Sequence, residues 1–135
     1  MPLIADLLAT PATLSKAARY TVINGYLYLA GGALLIAWPG AVQTVFMERA
    51  FVGDEAALFR VVGMALAIIG WFYVFGGRTG ARQIVAASVL DRLTLVPLVL
   101  VPLGLMGVFP KVLLPFGLID PALGIGAWLL MMKEE

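Results

Sequence analysis

Charge and apolarity are distributed along this chain in long blocks rather than residue by residue. From Tyr20 to Trp38 (YTVINGYLYLAGGALLIAW) no charge occurs; Lys16 and Arg19 stand before the block, and Trp38-Pro39-Gly40 closes it. A bilayer core about 30 Å thick takes roughly 20 apolar residues of helix, so the block is long enough to cross, with an interfacial aromatic and a breaker at its end. A second block, Ala56 to Phe75, has Arg60 near one end and Trp71 and Tyr73 near the other. The third runs from about Arg82 to Met106 and contains Asp91-Arg92, Pro97 and Pro102. The fourth, Val112 to Met132, contains Pro115 and Asp120-Pro121. The pattern predicts four spans, at about 20–38, 56–75, 82–106 and 112–132. A proline inside a helix removes a donor and crowds the preceding turn, so the third and fourth spans are expected to kink.

Shorter patterns fill the connections. Leu3, Ile4, Leu7 and Leu8 have helical spacing before Thr10-Pro11 and predict a short helix on the membrane surface. Val42, Val45, Phe46 and Met47 predict a second interfacial turn. Asp54 after Gly53 is placed to cap the second span, and Gly76-Gly77-Arg78-Thr79-Gly80 reads as a tight turn. Met1-Pro2-Leu3-Ile4-Ala5-Asp6 lacks a positive n-region, so no cleaved signal peptide is expected and the first span stays as an anchor.

Composition turns this pattern into a fold class. Of 135 residues 62% are hydrophobic and 13% charged, and the mean hydropathy is +1.02; soluble domains carry about 25% charged residues. The expectation is an all-α, integral membrane four-helix bundle forming a single transmembrane domain over residues 1–135. Nine basic and eight acidic residues are dispersed, which argues against nucleic-acid binding. With neither cysteine nor histidine in the chain, thiol chemistry is excluded and the commonest metal and haem ligand is missing; no metal or cofactor is expected. Lys16, Arg19, Arg78, Arg82 and Lys133 fall on one side of the membrane and Arg49, Arg60 and Lys111 on the other, which predicts cytoplasmic termini.

Candidate chemistry lies in the membrane itself. An ionisable group at that depth costs about 2.5 to 3.5 kcal/mol on insertion scales, so Asp91, Arg92 and Asp120 are the residues that ask for a reason. At 1.5 Å per residue, Arg92 lies roughly 15 Å inward from Arg82, and Asp120 about 12 Å from Val112 on the antiparallel fourth span. The two depths nearly coincide, so an Arg92–Asp120 pair is expected, with Asp91 turned toward another span or a cavity. The plainer reading is that the pair only holds spans three and four together. The sharper one starts from the excess carboxylate, which has to be protonated, paired with a cation or solvated; Asp91 or Asp120 would then be the acid/base group and Arg92 its orienter. Asn24, Tyr28 and Tyr73 are candidate binding residues. Asn24 is placed to donate to Asp91, while tyrosines of this kind also serve as interfacial anchors. Gly31, Gly32, Gly63, Ala67, Ala122 and Gly126 read as packing devices. No phosphate loop, zinc motif or nucleophile elbow occurs.

Trp38-Pro39-Gly40 after span one, Phe59-Arg60-Val61-Val62-Gly63 opening span two, Asp91-Arg92 in span three and Phe116-Gly117-Leu118-Ile119-Asp120 in span four resemble small bacterial four-helix membrane proteins of the DoxX-like type. The resemblance implies a four-helix bundle in the bacterial inner membrane and no assigned activity. Small multidrug transporters match in length and span number, but carry their essential carboxylate in span one, where this chain has Asn24. Fluoride channels have a glycine pair before the segment similar to Ala18-Arg19-Tyr20, and this chain lacks it.

Three functions follow as expectations. The first is a non-enzymatic module that binds an apolar small molecule or lipid from the surrounding bilayer, or assembles with itself or a larger complex. The second is a membrane-embedded enzyme acting on a lipid or isoprenoid by carboxylic acid/base catalysis. The third is a proton-coupled small-molecule transporter.

Overall fold

A computed structural model describes residues 2–9, 11 and 13–135. Met1 and Thr10, used above for the signal-peptide reading and the first helix stop, lie outside them. The chain is an all-α membrane protein with four helices long and apolar enough to cross a bilayer. Its helices are α1 Pro2–Leu8, α2 Lys16–Ala37, α3 Ala41–Phe46, α4 Glu55–Gly77, α5 Arg82–Leu93, α6 Leu95–Leu105 and α7 Pro110–Lys133. The third span is thus two helices, α5 and α6.

Local chemistry sets the helix ends. Ser15 caps α2 by accepting the Ala18 N–H at 3.1 Å. At the other end Pro39 forces Trp38 out of helical conformation, to φ −145° and ψ 79°, and α2 stops there. Asp54 occupies the N-cap of α4, but its side chain makes no capping bond. Glu55 serves the entry instead: its carboxylate accepts the Val52 N–H at 2.7 Å and pairs with Arg49 at 2.8 Å. The turn after α4 closes on Gly80 at φ +74°, a conformation side chains resist.

Prolines break the third span one turn early. Pro97 has no N–H to offer and its ring crowds the carbonyl of Leu93, so the helix fails at Thr94 rather than at Pro97. The Thr94 hydroxyl donates to the Leu90 carbonyl at 2.6 Å, which spares a polar group facing lipid. By contrast, α7 runs on through Pro115 and Pro121.

Packing is uneven. Helices α2 and α4 form the most intimate antiparallel pair, along a seam of Gly25 and Gly32 against Gly70 and Gly63. A Cβ at Gly70 would stand 2.6 Å from the Gly25 carbonyl oxygen, and one at Gly63 2.7 Å from that of Gly32. Of the small residues expected to pack, Gly32, Gly63 and Ala67 lie in this seam; Gly31 and Ala122 do not. The α5–α6 unit packs on α7, and the two halves meet mainly through α2 with α7. Helices α4 and α6 barely approach one another.

Each end of the bundle is closed by an apolar cluster. One gathers Ala17, Ala18, Val85, Val89 and Ala127. Over it, Glu134 accepts the Ala17 N–H at 2.9 Å and pairs with Arg82 at 3.6 Å. The other gathers Val42, Phe59, Phe109 and Val112, with the Arg49 guanidinium 4.3 Å from the centre of the Phe109 ring. Val42, Val45 and Met47 do not share one environment as the predicted turn face would have them: Val42 is buried there, whereas Val45 and Met47 are exposed. The buried polar side chains Thr21, Asn24, Ser88 and Arg92 belong to neither cluster.

Candidate functional site

The glycine seam decides what the middle of the bundle holds. Because α2 and α4 approach backbone to backbone, Tyr28 and Tyr73 meet edge to face, with ring centres 5.4 Å apart. Both are buried, each only 7% exposed, and neither is the interfacial anchor its residue type suggests. Tyr26 takes the outward role, at 55% exposed.

Each buried tyrosine holds one carboxylate. The Tyr28 hydroxyl donates to Asp120 Oδ1. The Tyr73 hydroxyl lies 3.0 Å from both oxygens of Asp91. Asp120 on α7 is thereby tied to α2 and Asp91 on α5 to α4, so four helices are joined at one level by two hydroxyl–carboxylate bonds.

Arg92 departs from expectation. It is the largest fully buried side chain, at 0% exposure, and forms no ion pair with Asp120 or Asp91 among the described residues. Its guanidinium turns back along α5: Nε donates to the Ser88 carbonyl at 2.9 Å and Nη2 to the Ser88 hydroxyl at 3.1 Å. The Tyr73 ring covers it, with Cζ 5.1 Å from the ring centre. Rise per residue puts Arg92 and Asp120 at similar depths, but the guanidinium runs back along α5 rather than across to α7. A Cβ at Gly124, one turn beyond Asp120, would lie 3.1 Å from the Arg92 Cβ. Closeness of α5 to α7 at that point leaves Arg92 to run along its own helix.

At this level Arg92 Nη1 and Asn24 Nδ2 find no hydrogen-bond partner among the described residues. The expected Asn24–Asp91 bond is not made. Ser88 was missed as a site residue, and its signal was present: four residues before an intramembrane arginine, a hydroxyl is on the same helix face.

A cavity of about 240 Å³ opens above the carboxylates. Tyr28, Tyr73, Asp91 and Asp120 form its polar floor. Leu66 and Ile69 on α4 face Leu95, Val96, Val99 and Leu100 on α6, and make its walls. Helices α4 and α6 do not pack together, so the cavity is a crevice open on the side that faces lipid. Arg92 and Asn24 stand behind the floor and do not line it. Among the described residues no group of three or more His, Cys, Asp or Glu gathers that could hold a metal ion.

No family model, curated protein or solved structure matches the chain.

Proposed function

We propose that this protein is a membrane-embedded binding module that takes a lipid-soluble molecule from the bilayer into the crevice between α4 and α6. One observation carries the reading: an apolar cleft with two carboxylates at its floor opens where α4 and α6 stand apart. Sites for small molecules combine apolar walls with a few convergent polar groups in this way. A bundle that used Asp91 and Asp120 only as struts would gain from closing the cleft over them, because half-exposed carboxylates facing hydrocarbon are costly. At about 240 Å³ the crevice holds a head group and the start of a chain, with the remainder of the molecule lying in lipid.

The test is native mass spectrometry of the protein released from its membrane in mild detergent. Wild type is expected to retain a molecule that Val99→Trp, which fills the crevice, does not. Equal retention by the two, or none by either, removes the reading. A catalytic reading has one observation behind it, the pairing of each floor carboxylate with a hydroxyl proton. Chemical conversion of the retained molecule on incubation would favour it.

We propose likewise that the protein lies in a bacterial inner membrane, as the DoxX-like resemblance implies, with both termini cytoplasmic. Lys16, Arg19, Arg78, Arg82 and Lys133 lie at helix ends that the antiparallel order brings to one side. Because the chain has no cysteine, single cysteines report side directly. Thr79→Cys is expected to resist an impermeant maleimide in intact cells, and Val52→Cys to react. The reverse pattern inverts the topology.

A further inference from the structure

The floor of the crevice is short of donors, and this determines what it can hold. Two carboxylates face it, and each has a single side-chain donor, one tyrosine hydroxyl. Asp91 shares one proton between both oxygens, and Asp120 Oδ2 accepts no bond among the described residues. The nearest cation makes no ion pair with either among the described residues: the Arg92 guanidinium is turned to Ser88 and covered by Tyr73. Ionisable groups at this level are Tyr28 on α2, Tyr73 on α4, Asp91 and Arg92 on α5 and Asp120 on α7; α6 contributes none. Formal charge at the site, with both carboxylates ionised, is negative by one.

We infer that the ligand of this crevice is a lipophilic amine, an alkyl chain ending in a protonated primary or secondary ammonium head. The inference rests on the binding reading above and names its ligand class. An ammonium head supplies both things the floor lacks, a positive charge and several N–H donors, to carboxylates that sit outside bulk water. Its chain lies between Leu66, Ile69 and Val99 and leaves toward lipid through the gap between α4 and α6. A carboxylate or phosphate head would meet two like charges. An alcohol brings one donor and no charge.

Three probes with the same tail separate these cases: dodecylamine, dodecanol and dodecanoate, compared at equal mole fraction in nanodiscs of zwitterionic lipid. The reporter is Val99→Cys on the crevice wall, and the readout is its protection from a lipid-soluble maleimide. Dodecylamine is expected to protect at concentrations at least about tenfold lower than dodecanol, a difference of about 1.4 kcal/mol, with dodecanoate the weakest. Asp120→Asn and Asp91→Asn are made singly, so that one carboxylate remains to balance Arg92 in each. Each is expected to weaken dodecylamine about tenfold and to leave dodecanol unchanged, in protein whose unfolding temperature shows it intact. Equal protection by amine and alcohol, or an amine indifferent to both substitutions, overturns the amine inference and leaves the binding reading standing. Failure of all three probes to protect overturns both.

Discussion

Gly70→Leu is expected to unfold the bundle, whereas Gly31→Leu, on the opposing helix beside the same seam, is expected to be tolerated. At Gly70 even a Cβ would stand 2.6 Å from the Gly25 carbonyl oxygen and the Leu29 nitrogen. Both are backbone atoms, so no rotamer change relieves the clash. Helices α2 and α4 would have to separate, and with them the Tyr28–Tyr73 contact that carries both carboxylates. Overpacking of a well-filled interior costs about 1 to 3 kcal/mol, and backbone opposition puts this case at about 3 kcal/mol or more. At Gly31 the nearest atom a Cβ meets is Leu66 Cδ2 at 3.5 Å, an ordinary contact with the tip of a flexible side chain. Thermal unfolding in detergent, followed by the monodispersity of the purified protein, checks the pair. Similar behaviour of the two variants would show that the seam does not hold α2 to α4.

Arg92→Met is expected to cost about 3 kcal/mol, and Asp120→Asn added to it to restore at least half of the loss. The arginine is the one cation at the level of Asp91 and Asp120, and removing it leaves two carboxylates with only tyrosine hydroxyls to stabilise them. Methionine has nearly the length of the arginine stem, so lost packing is kept small and the electrostatic part dominates. Asparagine at position 120 still accepts from Tyr28 but brings no charge. That makes the double variant the decisive comparison: recovery shows that Arg92 acts by balancing charge across several ångströms without an ion pair. A double variant no more stable than Arg92→Met would assign the loss to the Ser88 hydrogen bonds. Denaturation in a chaotropic detergent mixture, compared across wild type and the three variants, measures the cycle.

Much of the site was legible in the chain. Asp91, Arg92 and Asp120 stand out because hydrocarbon tolerates so few charges, and rise per residue along two antiparallel helices places the last two at nearly the same depth. Depth is one coordinate, however. Rotation of a side chain about the helix axis and the separation between axes are the others, and neither is written in the hydropathy pattern. Arg92 shows the consequence: its depth was foreseen and its partner was not, because close approach of α5 to α7 near Gly124 turned it toward Ser88. Tyr28 and Tyr73 show the reverse. Both are of a type that anchors at interfaces, and only the backbone contact at Gly25 and Gly70 brings them inside to hold the carboxylates.

The number of spans, the all-α class and the residues with intramembrane charge were determined by the sequence alone. The reason is that a bilayer imposes a length of apolar helix, and every backbone group must be satisfied within it. Which carboxylate meets which tyrosine, where the third span breaks and that α4 and α6 stand apart were decided by tertiary structure. In lipid, apolar side chains gain nothing by meeting each other rather than acyl chains. Helix partners are therefore selected by fine contact between small residues and polar groups, and such contact exists only once the helices are in place.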